Sequence, residues 1–524
     1  MVITKEKWQT IRGLIKRFLP VACTVTAAAL LTLQAEAADW KISPSLHLLE
    51  TYTDNVRLAQ AGAQASDFVT QISPGISMQG NGARLKVNAN YSLQGLMYAH
   101  QSGSDTVHHQ LNAGANSELI KNFFFLDGHA SISQQNISLF GAQTTNNINI
   151  TGNRADVRTY SLSPYLRHHF DGIATSELRY TFNGTSSSTG GLSNSQAGNI
   201  LFDLRSGPAF RRVGWGLHYS QQKIDYTNNP SVEMDTVAAD FRLLITPKFS
   251  LTASSGYDKN SYLPIAGSPN GHSWSAGFYW APSTRTSLAA SRGEKYFGKT
   301  FMLAANHRSR RTLWSVSYSE DVTSMRSEFL IPSNSDTSAY FNKLCLEQNP
   351  GAAESLCQQI VADRIRQYNL PASFPDPINY FTNQFFLQKR LQASVVFNGA
   401  KSTLMFSLFD VLREGQTSLT VDNLLLGTGN LAQNDRTKQI GANASWSWRV
   451  SPRTSANITA AYSKSQSLST DLTNYNKTTR IGLTRRIQPK LNGSVEFRHV
   501  QLDSNQNGSN YRENAVTASL LMKF

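Results

Sequence analysis

The chain is short of charge: Asp, Glu, Lys and Arg make up 16% of its 524 residues, against roughly 25% in an ordinary soluble domain. It also lacks long apolar runs. Hydrophobic residues are 40% of the total and only one unbroken stretch occurs, at the N-terminus, which excludes a bundle of transmembrane helices. Three cysteines exclude a disulfide-dense scaffold. No G-x-S-x-G, H-E-x-x-H or P-loop pattern occurs, and nothing points to a cofactor. Gly427-Thr428-Gly429 lies in a polar stretch with no strand before it or helix after it, and reads as loop. The eleven histidines are scattered; His108-His109 and His168-His169 are adjacent pairs, and neighbours in a strand point to opposite faces, so neither pair closes on one ion.

What is present is a pattern. By length the chain suggests about three domains, yet no Pro/Gly/Ser linker divides it. Phe68, Thr70, Ile72, Pro74, Ile76 and Met78 alternate with Val69, Gln71, Ser73, Gly75, Ser77 and Gln79, one set mostly apolar and the other mostly polar. Asn81-Gly82, a hairpin turn signal, follows, and Leu85, Val87, Ala89, Tyr91 and Leu93 then alternate with Lys86, Asn88, Asn90, Ser92 and Gln94. The same two-faced ribbon recurs through Trp446 and Trp448 to Val516, Ala518, Leu520, Met522 and Phe524, for about 22 strands. Tight turns near 121–122, 171–172 and 246–248 alternate with long polar stretches at 53–66, 136–157 and 411–436. Short turns on one rim and long loops on the other define an all-β, antiparallel, up-and-down transmembrane barrel of the outer membrane of a Gram-negative bacterium. A set of secreted β-sandwiches also alternates but requires linkers and has no short–long rhythm. Trp40, Trp280, Trp448 and Tyr296 stand near strand ends, as an interfacial girdle requires.

Residues 1–37 read as an export signal. Lys5, Lys7, Arg12, Lys16 and Arg17 precede an apolar core from Leu19 to Leu33, and cleavage between Ala37 and Ala38 starts the barrel at 38–524. A retained anchor would need a longer run, and a lipoprotein site at Cys23 is opposed by Pro20. Removing the signal takes away five basic and two acidic residues, so the net charge of +14 falls by three to +11. An exported basic chain meets no nucleic acid; its expected partners are outer-membrane lipids, lipopolysaccharide or an acidic polymer.

Opposite the apolar faces lie Arg84, Lys86, Glu177, Arg179, Asp240, Arg242, Arg480, Glu496 and Arg498, expected in the lumen, where mixed charge either tunes passage or braces the wall. The stretch 321–380 is the one segment expected to leave the barrel, as a long loop or plug; its Ala352–Tyr368 portion has helical periodicity. It holds both mature cysteines, Cys345 and Cys357, expected as a local disulfide, with a free pair as the alternative. Such a loop either constricts the lumen or covers the outer mouth.

The stretches WKISPSLHLLETYTDNV at 40–56, SDFVTQISPGISMQGNGARLKVNANYSLQGLMYA at 66–99, ELIKNFFFLDGHASISQQ at 118–135 and FFLQKRLQASVVFNGAKSTL at 385–404 resemble the outer-membrane proteins associated with the PEP-CTERM/exosortase system. The resemblance runs over essentially the whole mature chain. It implies a barrel found with exopolysaccharide genes, serving polymer export or the surface environment of the exported proteins, and it supplies no catalytic residues. The terminal Phe524 resembles the signal read by the barrel-assembly machinery. Expected function is therefore a channel for extracellular polysaccharide, with a general diffusion porin, a plugged surface-binding barrel and a membrane hydrolase as the alternatives.

Overall fold

The computed structural model describes residues 39–144, 146–189, 194–265, 267–330, 377–417 and 435–524. Cys345, Cys357, the 352–368 segment, Gly427 to Gly429 and the cleavage residues Ala37 and Ala38 lie outside them. The described chain is a run of hairpins: β1 (Asp39–Thr53), β2 (Asp67–Asn81), β3 (Leu85–Tyr98), β4 (Thr106–Ile120), β5 (Phe124–Asn136), β6 (Arg154–Phe170), β7 (Ala174–Ser187), β8 (Ser195–Ser206), β9 (Val213–Tyr226), β10 (Val232–Thr246) and β11 (Phe249–Asn260). It continues with β12 (Gly271–Ser283), β13 (Thr286–Lys295), β14 (Gly298–Arg308), β15 (Thr312–Ser324), β16 (Phe385–Asn398), β17 (Ser402–Gly415), β18 (Arg436–Ser451), β19 (Thr454–Ser467), β20 (Thr473–Gln488), β21 (Leu491–Ser504) and β22 (Tyr511–Lys523). A single-turn helix, α1 (Met325–Leu330), follows β15.

Each strand pairs antiparallel with its neighbours in sequence, and β1 pairs with β22 from Ser45↔Lys523 to Thr53↔Ala515. The 22-stranded sheet is therefore closed, and its faces stay in phase around the seam: Leu48 and Leu520, both outward, stand opposite each other. This is an all-β, up-and-down barrel of the outer-membrane type. The outward face is apolar and exposed, as on β10, where Val237, Phe241, Leu243 and Ile245 are each about half exposed. Such a band is stable only against lipid.

Turn chemistry sets the hairpins. Asp171 and Gly172 both take positive φ (38° and 82°), the mirror-image turn whose twist matches paired strands. Gly82 N–H donates to the Leu85 carbonyl at 2.8 Å and closes the β2–β3 turn. Two lumen-facing glycines permit the curl of the wall: a Cβ on Gly277 or Gly293 would come within 2.4 and 2.1 Å of the Ala290 and Trp274 carbonyl oxygens on the adjacent strand.

Three features differ from expectation. Strands β7, β15 and β17 run further towards the long-loop rim than alternation indicates, to Ser187, Ser324 and Gly415. Strands of 13 or 14 residues exceed the roughly 9–11 that cross a bilayer, and beyond the lipid band both faces meet water, so the two-faced signal fades. The stretch after β15 is not the one segment off the wall, because 54–66 and 137–153 also fold inward. Nor is the lumen face polar throughout: Val69, Leu96, Tyr98, Val157, Ile224, Val500 and Leu502 point inward near the long-loop rim and are buried.

The two faces predict opposite costs. Ala444, opposite the outward Phe406, becomes a lipid-buried charge in Ala444→Arg, which should lose about 2–4 kcal/mol of folding free energy. Ser447→Arg, on the lumen side of the same strand, should change stability by less than about 1 kcal/mol; urea titration of refolding into vesicles measures both.

Candidate functional site

The inward loops meet at the long-loop end and fill it. Leu139, Phe140, Met325, Phe329, Tyr380 and Phe381 form one buried cluster with Val157 and Phe386 of the wall. Val56 and Ile148 pack on Val69, Leu96 and Tyr98 in a second, and Leu58 joins Val500, Leu502 and Tyr511 in a third. Tyr262, Ala197, Ile224 and Phe385 make a fourth, against which Tyr296 packs, its hydroxyl accepting from that of Tyr262 at 3.0 Å. Tyr296 thus belongs to the closure, not to the lipid girdle.

Buried polar groups fasten these loops to the wall. The Glu513 carboxylate accepts from Arg498 at 2.9 Å, Thr53 at 2.8 Å and Asn149 at 2.6 Å, and Arg498 and Glu513 are 2% and 1% exposed. Arg413, equally buried, donates to the Gln388 side chain (2.9 Å), the Ile378 carbonyl (3.2 Å) and Asn379 (3.1 Å). Its guanidinium carbon lies 5.5 Å from the Tyr380 and Phe386 ring centres. Arg326 on α1 donates to Ser195 Oγ at 2.7 Å and Asn183 Oδ1 at 2.5 Å. Its partners among the described residues are neutral oxygens, and burial pushes its pKa below the ordinary guanidinium value.

Towards the short-turn rim the wall is charged. Arg179 bonds Asp127 at 2.8 Å and Glu177 at 3.0 Å, Arg167 bonds Glu177 at 2.6 Å, and the Arg179 guanidinium stacks 3.8 Å over Tyr165. Arg480 stands directly opposite Arg498, with Glu496 and Glu513 on the same face. Asp240 and Arg242 face Gly216 and Gly214 across β9–β10. Lys86 opens the lumen side of β3, while Arg84 sits in the turn before it, exposed at the rim. Phe524 ends the chain one residue past β22, its N–H bonded to the Pro44 carbonyl at 2.9 Å. His109 bonds Tyr91 at 2.8 Å while His108 lies 3.8 Å from Asp156; among the described residues no group of three His, Cys, Asp or Glu could hold a metal.

Between closure and wall lies a cavity of about 680 Å³. One side is the lumen face of β1–β5, a surface of amides and hydroxyls such as Gln71, Gln110, Asn112 and Ser131. Glu328, Phe329, Ile378 and Asn379 of the closure and Arg390 of β16 form the other. Alternation marks Gln71 as inward, but not the hubs. Glu513 and Arg413 become legible only once register puts them on the lumen face, since Glu513 beside Arg512 and Arg413 beside Glu414 read in sequence as ordinary strand charges.

No protein-family model matches the sequence, and no curated protein does. Solved structures match the fold. The FrpB iron transporter of Neisseria meningitidis aligns at 10% identity, with 92% of this chain, 82% of that one and a TM-score of 0.52; its apoprotein form gives 11%, 92%, 81% and 0.51. The siderophore receptor PirA of Pseudomonas aeruginosa aligns at 10% identity over 92% and 80%, with a TM-score of 0.46. These likenesses are of barrel architecture.

Removing the Glu513 carboxylate strands a buried cation. Glu513→Ala should cost about 3–5 kcal/mol, and Arg498→Met/Glu513→Leu should recover part of that loss; the urea midpoint of the detergent-solubilised barrel reads both.

Proposed function

We propose that the barrel is an outer-membrane transport protein through which an extracellular polysaccharide, or segments of it, passes. The observation that carries this reading is the lumen below the closure: its wall is amide, hydroxyl and paired charge, and its outer stop is made of loops, not of wall. A lumen of 22 strands is wider than wall side chains alone can fill. The PEP-CTERM/exosortase resemblance supplies the polymer class. Lipopolysaccharide and lipid against the apolar band, and the assembly machinery at Phe524, complete its expected partners.

A second reading is favoured by the closure itself. Four apolar clusters and buried hubs are more packing than a loose gate requires, so the barrel also fits a plugged surface protein whose outer loops hold polymer.

Deleting the gene separates the two. Export predicts polymer retained within the cells and a several-fold drop outside; unchanged release, with loosened attachment of polymer to the cell, supports the surface reading. Planar-bilayer conductance of the purified barrel adds a direct check, because a sealed lumen gives no current.

A further inference from the structure

The cavity beneath the closure contains an anomaly. Glu328 is 5% exposed; its Oε1 accepts a 3.3 Å bond from Gln388, but its Oε2 is buried without a hydrogen-bond partner. The Arg390 Nη1 stands 3.8 Å from that oxygen, an ion pair beyond hydrogen-bond distance. A buried acceptor left open is costly unless something fills its place, and this one lines the cavity.

We propose that the cavity binds an uncharged saccharide segment, held between Glu328 and Arg390 on one side and the β1–β5 amides on the other. The inference rests on the transport reading and gives that route a specific station. A sugar hydroxyl both donates and accepts, and so does each amide of the wall. Gln71 commits one amide N–H to Ser73 at 2.8 Å, leaving a second N–H and a carbonyl for a ligand. Glu328 Oε2 accepts a sugar O–H, Arg390 donates to a hydroxyl or ring oxygen, and Phe329 offers apolar surface to the C–H face of the ring. Other ligand classes fit worse. An anion meets one carboxylate beside one guanidinium and gains no net attraction; an apolar ligand leaves the amides unpaired. The volume is that of a small-ligand site, suited to a short stretch of chain.

The test uses purified full-length protein in detergent micelles, titrated with maltohexaose, cellohexaose and hexagalacturonic acid and followed by saturation-transfer NMR and calorimetry. A neutral hexasaccharide should bind. Glu328→Gln, which keeps the shape and removes the charge, should weaken it about tenfold. Asn112→Leu, on the wall and away from the closure, should weaken it several-fold, with the folded barrel's gel mobility retained. If Glu328→Gln misfolds, Asn112→Leu decides. Absence of binding by both neutral probes, unchanged affinity in a folded variant, or tighter binding of hexagalacturonate would overturn the site. Polymer release by the deletion strain is judged separately: lost export without saccharide binding removes the site and keeps the channel, whereas binding with normal release does the reverse.

Discussion

Closure of the sheet is the constraint on which the rest depends. Hydrocarbon offers no hydrogen bonds, so each backbone N–H and C=O within the bilayer must find a partner in the chain. A row of hairpins achieves this everywhere except at its first and last strands, and the β1–β22 ladder removes that exception. Closure then dictates parity. An even strand number returns both termini to the short-turn rim, and the seam must join lumen face to lumen face or every side chain beyond it would invert.

Width creates the second problem. A small barrel fills itself with wall side chains, whereas one of this size leaves a bore. Here the filling comes from the connections themselves, 54–66, 137–153 and the segments flanking β15 and β16, and it is concentrated at one end. That location explains the apolar lumen residues. Val69, Leu96 and Leu502 sit where loops cover them, while the lumen positions of β3 nearer the short-turn rim are Lys86, Asn88 and Asn90, all exposed.

Alternation made the architecture readable, because period-two sorting and turn signals are local. Asp171-Gly172 sets its hairpin from two residues, and the outward set on β2 follows from side-chain parity. The closure was not readable in the same way. Leu139 and Phe140 sit in a polar stretch, and two apolar residues in a loop carry no period. Met325 to Leu330 is too short to show helical spacing. Glu513 looks like any strand carboxylate until the β21–β22 and β5–β6 registers bring Arg498 and the Asn149 loop to it. The Asn149 contact spans 364 residues in sequence, and the closed ring makes its partners neighbours.

The fastenings differ in kind, and this bears on how such a closure behaves. Glu513 with Arg498 is a buried, bonded charge pair, expensive to separate once dry, although Arg498 Nε is itself buried and unbonded. Arg413 is held by carbonyl, amide and ring faces from the 377–380 stretch and the neighbouring wall. Among the described residues Arg326 has only neutral oxygens as partners, with Nη1 buried and unbonded, and none of their carboxylates is bonded to it. α1 also carries Glu328 and Phe329 into the cavity. A ligand shifts a two-state element only by its differential affinity for the two states. Under the proposed saccharide site, contacts to Glu328 bear on the same element that carries Arg326 and Phe329.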